Sequence, residues 1–433
     1  MHFQNFGEKQ IQTLTWWMDE ETADCDGIIC DGSIRSGKTL AMSVGFVWWA
    51  MTMFDGCKFA LCGKTIEALR RNVVSLLPQW MEGICEMQER RSDNTLLVRG
   101  FGHSNVFHEF GGKDESSYTL IQGMTLAGVL FDEVALMPRS FVEQAMARCS
   151  VEGSRSWFNC NPESPGHWFY TEWGQQAERR NMLHLHFTME DNLALPAKIR
   201  KRYEGLYSGV FYDRYIRGLW VAAEGVIYQE FAASLAPGRD DRFRWPDGKP
   251  LSPWRVIVGV DFGGNGSKHA FVATGVLPGF AGCAILQSKR CEATTPDALN
   301  QEFLYFCGAV FARWKHIEAV YCDSAEQVLI RGIRTAARST PLAWLAGKIH
   351  NAAKTQIVDR IRLTSALMSC GRLWYLPEAA TARDALASAL WSGKHPGKDE
   401  RLDDGSTDVD TLDAFEYTIE RDFKRYLRLG AGA

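Results

Sequence analysis

Residues 27–39 have the sequence GIICDGSIRSGKT, a short apolar run that leads directly into a glycine-rich turn. The turn matches the phosphate-loop pattern of Gly, four residues, Gly-Lys and then Ser or Thr, with Gly32, Gly37, Lys38 and Thr39 at the fixed positions. In such a loop the backbone N–H groups point at phosphate oxygens, the lysine reaches the terminal phosphates, and the hydroxyl holds Mg²⁺. The stretch therefore predicts a nucleotide site between a buried strand and a following helix.

The composition is that of an ordinary soluble globular protein of two or three domains, with 433 residues, 46% of them hydrophobic and 23% charged. The net charge is −4, so any surface for nucleic acid must be local. The twelve cysteines include no CxxC pair, which argues against a zinc or thioredoxin site and favours free thiols in a reducing cytoplasm. No secretory signal is evident, and the uncharged run at 40–54 is shorter than a bilayer span, so no membrane segment is expected.

Two further strands are predicted to end in polar side chains. Residues 126–133, LAGVLFDE, are an apolar run that ends in two carboxylates, as a Walker B element requires: Asp132 for the Mg²⁺ shell opposite Thr39, and Glu133 to polarise the attacking water. Another strand ends at Asn159–Asn161, where a γ-phosphate sensor would lie. Residues 1–221 are thus predicted to form a P-loop ATPase domain, a mainly parallel sheet with helices on both faces.

Several side chains of this half have two open interpretations. Phe6 and Gln10, on or beside a helix predicted at 10–21, are adenine-binding candidates or parts of a packing helix. Arg70 and Arg71, on a helix predicted at 63–80, are candidates for an arginine finger or a solvated basic face. A basic cluster can contact a DNA backbone or only solvent: Lys198, Arg200, Lys201 and Arg202.

A second domain is predicted at 254–433, after a linker at 222–253 that is mixed in charge, Gly and Pro. Its pattern predicts a meander of three strands, a helix at 295–314 and a fourth strand at 317–323. A helix with a capping box at Ser324 and Gln327 follows, then strands near Leu342 and Arg372.

Three separated acids mark this second domain. Asp261 and Asp323 end the first and fourth strands, and Asp410 and Asp413 share a face of a late helix that begins near Asp408. Such a set is typical of ribonuclease-H-like nucleases, which hold two divalent ions about 4 Å apart. Oxygen ligands favour Mg²⁺ or Mn²⁺ over zinc. The domain is therefore predicted to be an RNase H-like endonuclease.

The order of the motifs resembles the large terminase subunit of tailed bacteriophages over nearly the whole chain. The motifs are GSIRSGKT, VLFDE, FNCNPESPGHWFY, TMEDN with YDRYIRGLW, GVDFG, YCDSAE and LDAFEY. The resemblance implies an ATPase that drives viral double-stranded DNA into the procapsid, and a nuclease that cuts concatemeric DNA into genome units. It also implies ATP with Mg²⁺ at the first site, and two ions of Mg²⁺ or Mn²⁺ at the second.

Site residues carry over position by position. The implied nucleotide-binding residues are Gly32, Ser33, Arg35, Ser36, Gly37, Lys38, Thr39, Asp132, Asn159 and Asn161. The implied catalytic residues are Glu133, Asp261, Asp323 and Asp413. The implied metal ligands are Thr39, Asp132, Asp261, Asp323, Asp408 and Asp413, with Asp410 in reserve and Glu326 as a further contact. A histidine that many members have before the last helix is missing here.

The implied partners are double-stranded DNA, the portal protein and the small terminase subunit. The subunit would act as a homo-oligomeric ring on the portal, although such subunits can be monomers when free. The implied place is the host cytoplasm during assembly and not the mature virion. Two other hypotheses remain: a helicase-like repair ATPase with a nuclease domain, or a packaging motor or docking protein that does not cut DNA.

Overall fold

The computed structural model describes residues 5–229, 231, 252–263, 268–292, 295–395 and 398–429. The chain divides into two compact units, one of residues 1–201, 212–222 and 396–398, the other of residues 202–211, 223–395 and 399–433. Most of the predicted 222–253 linker, residues 232–251, lies outside the described residues. The predicted domain limits therefore stay predictions.

The strands in the described residues were numbered in chain order. They are β1 (Gly27–Gly32), β2 (Lys58–Gly63), β3 (Glu86–Arg90), β4 (Thr95–Gly100), β5 (His103–Gly111), β6 (Gly128–Asp132), β7 (Arg155–Asn159), β8 (Met182–Phe187), β9 (Arg255–Asp261), β10 (His269–Val276), β11 (Cys283–Cys291), β12 (Ala319–Cys322), β13 (Ile349–Asn351) and β14 (Leu373–Tyr375).

The α-helices were numbered in the same way. They are α1 (Glu8–Thr15), α2 (Lys38–Met53), α3 (Ile66–Leu69), α4 (Leu77–Trp80), α5 (Arg139–Met146), α6 (Ala197–Glu204), α7 (Gly209–Tyr215), α8 (Pro296–Trp314), α9 (Gln327–Arg338), α10 (Ile357–Ser369), α11 (Ala380–Ser388), α12 (Val409–Ile419) and α13 (Phe423–Leu429). None of the helices in the described ranges is long and apolar enough to cross a membrane.

The first unit is built on an eight-stranded sheet in the order β3-β4-β5-β2-β6-β7-β1-β8. All pairs from β5 to β8 are parallel, and only β3–β4 and β4–β5 are antiparallel. Successive residues of β1 enter different cores: Ile28 packs in the core that contains Phe46 of α2, and Ile29 in the core that contains Phe141 of α5. Both faces of the sheet are thus covered by helices, which confirms the predicted fold class.

The second unit is built on a six-stranded mixed sheet in the order β13-β12-β9-β10-β11-β14. Strands β9, β10 and β11 form the predicted antiparallel meander, and β12 joins β9 in parallel. Helices α8 and α9 cover one face, where Phe303 and Ile330 pack with Val258. The parallel pairing brings the carboxyl ends of β9 and β12 to the same edge of the sheet.

Helix α12 packs against β9 and β10 and approaches the backbone of β9 closely. A Cβ atom at Gly259 would lie 1.8 Å from the carbonyl oxygen of Ala414, so only glycine fits there. The hydroxyls of Thr418 and Thr274 are 2.8 Å apart across the same contact. This packing fixes the height of the acids on α12 relative to the end of β9.

Some predicted elements differ from the structure. The helix predicted at 63–80 is broken into α3, a π-helical turn at Arg70–Val74, and α4. Residues near Leu342 form a 3₁₀ turn, Ala343–Lys348, and the strand β13 begins only after it. Helix α9 starts one residue after Glu326, so Ser324 does not cap it. Strands β3, β4 and β5 have no counterpart among the predicted elements.

Candidate active sites

The glycine-rich turn forms a loop between β1 and α2, as predicted. Gly32 has φ +123° and Gly37 has φ +89°, and Gly37 is the N-cap of α2. The side chain of Arg35 is exposed, and its carbonyl oxygen accepts from Asn192 Nδ2 at 2.8 Å. Gln10 of α1 is buried beside Gly37 and accepts from the backbone N–H of Gly7 at 2.9 Å. The loop is therefore held from outside by α1 and by the segment after β8.

Lys38 is buried in the middle of the loop. Its Nζ donates to Gly32 O at 3.0 Å, Ser33 O at 2.6 Å, Ser36 Oγ at 3.3 Å and Asn161 Oδ1 at 3.2 Å. Burial lowers the pKa of the ammonium to about 8, although nearby thiols and carboxylates oppose the shift. The contact with Asn161 joins the loop to the chain that follows β7.

The two predicted Mg²⁺ ligands of this site are joined by one amide. Asn159 Nδ2 donates to Thr39 Oγ1 at 3.0 Å and to Asp132 Oδ1 at 2.7 Å. The three residues come together because β6, β7 and β1 are adjacent parallel strands that end at one edge. Burial raises the pKa of Asp132, and hydrogen bonds from Asn159 and Asn72 oppose this shift. A hydroxyl and a carboxylate at this edge are hard oxygen ligands, so the residues present fit Mg²⁺.

Glu133, the predicted catalytic acid, has an unusual backbone. It follows β6 with φ +62° and ψ +48°, in the left-handed region, and its side chain is half-buried. A side chain other than glycine in this region costs about 1–3 kcal/mol, and such residues cluster at functional sites. The conformation turns the chain sharply between Asp132 and the next 3₁₀ turn.

The two arginine-finger candidates differ in their surroundings. Arg70 donates from Nε to Glu109 Oε2 at 2.6 Å and from Nη2 to Asn94 Oδ1 at 3.0 Å, so its guanidinium is held within the unit. Arg71 is exposed and donates to Asn72 Oδ1 at 3.2 Å. Of the two, Arg71 is the more accessible to another molecule.

The second site lies at the edge where β9 and β12 end. Asp261 is the last residue of β9, and Asp323 follows β12 with its N–H donating to Val260 O at 2.9 Å. Lys354 Nζ lies 2.6 Å from Asp323 Oδ1. Asp413 belongs to α12, which packs across this strand end.

Asp261 is buried among charges of its own sign. Burial and the carboxylates of Asp413, Asp323 and Asp410 raise its pKa to about 8, and a hydrogen bond from Tyr417 Oη at 3.1 Å opposes the shift. A divalent cation would relieve this repulsion, and the donor set is one of oxygens alone, which fits Mg²⁺ or Mn²⁺. Within the described ranges, however, no three His, Cys, Asp or Glu side chains are arranged as a ready metal site.

Basic side chains engage the remaining acids. Arg360 Nη1 and Arg401 Nη2 lie 3.0 and 2.8 Å from Asp413 Oδ1. Both also contact Glu416 Oε2, at 3.1 and 2.9 Å, and all of Arg360, Arg401 and Glu416 are buried. On the opposite oxygen of Glu416, Tyr228 Oη donates at 3.3 Å. Asp413 is thus held in a buried network of two acids and two arginines.

Asp408 and Asp410 are held by Arg290 of β11. Asp408 is the N-cap of α12, and its carboxylate accepts from Thr411 N at 3.1 Å and lies 3.1 Å from Arg290 Nε. Asp410 Oδ2 lies 2.8 Å from Arg290 Nη2. Asp410, and not Asp408, is among the charges that act on Asp261. The exposed Glu326 is the N-cap residue of α9.

Comparisons with known proteins agree over most of the chain. Residues 29–234 match the family model described as "Terminase large subunit, T4likevirus-type, N-terminal". The large terminase of a thermophilic bacteriophage (crystal form 2) is 36% identical, with a TM-score of 0.82 over 96% of this chain and 99% of that chain. The same phage protein in complex with ADP gives 35% identity and a TM-score of 0.80, over 96% and 100% of the two chains. Its complex with ATP-γ-S gives 35% and 0.79 over the same shares. A comparison with the curated proteins gives no match.

Proposed function

This chain belongs to the large terminase subunit family of bacteriophages, and on that premise we propose that it uses ATP hydrolysis to translocate viral double-stranded DNA into the procapsid and that it cuts concatemeric DNA with a divalent metal. The observation that carries the proposal is the presence of both sites in one chain. The first site joins Lys38, Thr39 and Asp132 through Asn159 and Asn161. The second gathers the charges of Asp413, Asp323 and Asp410 around Asp261.

At the first site the proposed ligand is ATP with Mg²⁺. The backbone of residues 32–37 would hold the phosphates, and Lys38 would move its ammonium from loop carbonyls to phosphate oxygens. Thr39 and Asp132 would hold the ion, which neutralises charge that develops on the phosphates. Glu133 would orient the attacking water. The ADP and ATP-γ-S complexes of the thermophilic phage protein support this assignment.

At the second site the proposed ligands of one or two Mg²⁺ or Mn²⁺ ions are Asp261, Asp323 and Asp413. Such ions supply an activated water and stabilise the leaving oxygen in phosphodiester hydrolysis. Asp408 already caps α12, so Asp410 is the better placed additional acid. The proposed partners are double-stranded DNA, the portal protein and the small terminase subunit, with the chain acting as a ring on the portal in the host cytoplasm.

A non-cutting packaging motor is the second candidate. It is favoured by the ion pairs that Asp323 makes with Lys354 and Asp413 with two arginines, since each pair competes with a metal for the same oxygen. The two functions differ in one measurable property, which is metal-dependent cleavage of DNA.

The test is cleavage of supercoiled plasmid by the full-length protein in Mn²⁺ and in EDTA, beside Asp323→Ala. The matched control is Asp384→Ala, an exposed acid of α11 that pairs only with its neighbour Arg383 among the described contacts. We expect cutting in Mn²⁺ by the wild type and by the Asp384 variant, and none in EDTA or by the Asp323 variant. A wild type that hydrolyses ATP but leaves plasmid intact in Mn²⁺ would favour the non-cutting motor.

A further inference from the structure

Asp31 is a buried acid of the first unit that the proposed chemistry does not use. It lies on β1, one residue before Gly32, where the phosphate loop begins, and it is only 2% exposed. Placing a carboxylate inside a parallel sheet is costly unless donors surround it. Its position next to the loop raises the question of what those donors are.

Donors from two other parts of the chain meet at this carboxylate. On the neighbouring strand β8, His186 Nδ1 and His184 Nε2 lie 2.9 and 3.2 Å from Asp31 Oδ1. On the other oxygen, Trp220 Nε1 donates to Oδ2 at 2.6 Å. Burial opposes ionisation, but the hydrogen bonds from His184, His186 and Trp220 together hold the pKa of Asp31 well below its usual range. Asp31 is therefore an ionised acceptor at the base of the loop.

Trp220 belongs to residues 212–222, which contact the loop at further points. The backbone N–H of Ile34 donates to Tyr215 O at 2.9 Å. Gly218 has φ +74°, and a Cβ there would lie 2.9 Å from Ser33 N. The segment thus lies directly against the backbone of the phosphate loop, and the Asp31–Trp220 hydrogen bond fastens its end.

The same segment also holds the chain that follows β7. The indole of Trp220 stacks on the ring of Tyr170, with centroids 4.5 Å apart and an interplanar angle of 13°. Arg214 donates to Val221 O at 3.0 and 2.6 Å and to Glu163 Oε2 at 3.3 Å. Glu163 lies close in sequence after Asn161, the residue that contacts Lys38. Residues 212–222 therefore touch both stretches of chain proposed to meet the nucleotide.

We propose that Asp31 and Trp220 are positioning residues of the nucleotide site, and that their hydrogen bond fixes the phosphate loop in the shape that accepts phosphate. Neither residue touches the ligand. Their effect is preorganisation: a loop already held in its bound shape loses less conformational entropy when the nucleotide binds. This inference rests on the proposed function of the first site.

The test is ADP binding in Mg²⁺ by isothermal titration of the full chain, for the wild type, Trp220→Phe and Asp31→Asn. Phenylalanine keeps a ring on Tyr170 but has no N–H, and asparagine keeps the shape of Asp31 without its charge. The control is Trp17→Phe, which removes a similar buried indole hydrogen bond, 2.9 Å to Leu14 O, elsewhere in the unit. The melting temperature of each protein without nucleotide is the second measurement.

We expect both site variants to raise the Kd for ADP about tenfold, since a hydrogen bond to a charged group is lost or weakened, and Trp17→Phe to leave it unchanged. The double variant should bind no more than about twofold worse than the weaker single variant, because both changes break one contact. A Trp220→Phe Kd within twofold of the wild type would overturn the inference. So would a fall in melting temperature well beyond that of Trp17→Phe, which would assign a purely structural role. A wild type that does not bind ADP would remove the proposed nucleotide site itself, and the inference with it.

Discussion

Asn159 Nδ2 donates to Asp132 Oδ1 at 2.7 Å, which joins the ends of β7 and β6. The same amide reaches Thr39 Oγ1 at 3.0 Å, so one side chain orients both proposed Mg²⁺ ligands. Outer partners of metal ligands are worth about 10–100-fold in metal affinity or activity. Since the amide has no substitute donor in Asn159→Ala, we expect a loss of that size in ATP turnover.

The measurement for Asn159→Ala is steady-state ATP hydrolysis as a function of Mg²⁺ concentration. The variant should need more Mg²⁺ for half-maximal rate, because its carboxylate and hydroxyl are no longer aligned. An unchanged Mg²⁺ dependence with a lower melting temperature would mean that Asn159 only stabilises the sheet.

Lys38→Ala should separate the two proposed activities. Lys38 is the buried cation of the phosphate loop, and its removal leaves no ammonium for the terminal phosphates. ATP turnover should become undetectable while Mn²⁺-dependent plasmid cutting persists, measured on the same preparation. The control is Lys58→Ala, because Lys58 is the exposed first residue of β2, at the sheet edge opposite the loop. ATP turnover that survives in Lys38→Ala would refute the phosphate-loop assignment.

The parts of both sites that sequence predicted share one pattern, a buried strand followed by a polar residue. Asp132, Asn159 and Asp261 each end a strand, and parallel pairing brings such ends to one edge. An apolar run shows the strand, and the residue type after it shows the chemistry. That information is local, so it can be read without knowing the fold.

The supporting residues could not be found in the same way, because their partners are distant in sequence. Trp220 is 189 positions from Asp31, and Arg360 is 53 positions from Asp413. The one local signal was Asp31 itself, an acid inside an otherwise apolar strand, which requires buried donors but does not name them. Strand β3 escaped prediction for a different reason: its sequence EMQER is polar, as an edge strand that is only half covered can be.

Glu416→Ala should strongly destabilise the second unit. Glu416 is fully buried and neutralises Arg360 and Arg401, whose charges would remain buried without it. Removing one partner of a buried ion pair typically costs about 3–5 kcal/mol, so we expect a loss of that order in the free energy of unfolding by urea. The control is Glu143→Ala, which breaks an exposed i,i+4 pair with Arg139 and should cost less than about 0.5 kcal/mol. Equal small losses in both variants would contradict the buried network.

Asp261→Asn should make the metal-free protein more stable at high pH. The pKa of Asp261 is raised to about 8 in the folded chain, above the value of 3.8 for an ordinary carboxyl. Between these values the folded state binds a proton that the unfolded state does not, so the free energy of unfolding falls as pH rises. Asparagine cannot ionise, and its Oδ1 can still accept from Tyr417, so the variant escapes this fall.

The stability difference between Asp261→Asn and the wild type should therefore grow between pH 6 and pH 8, by at most about 1.4 kcal/mol per pH unit. Urea unfolding in EDTA at the two pH values measures it. Added Mn²⁺ should stabilise only the wild type at pH 8, because the ionised carboxylate binds the cation in the folded state. A difference that is the same at both pH values would mean that Asp261 is already ionised at pH 6, and that the neighbouring acids do not act on it as a cluster.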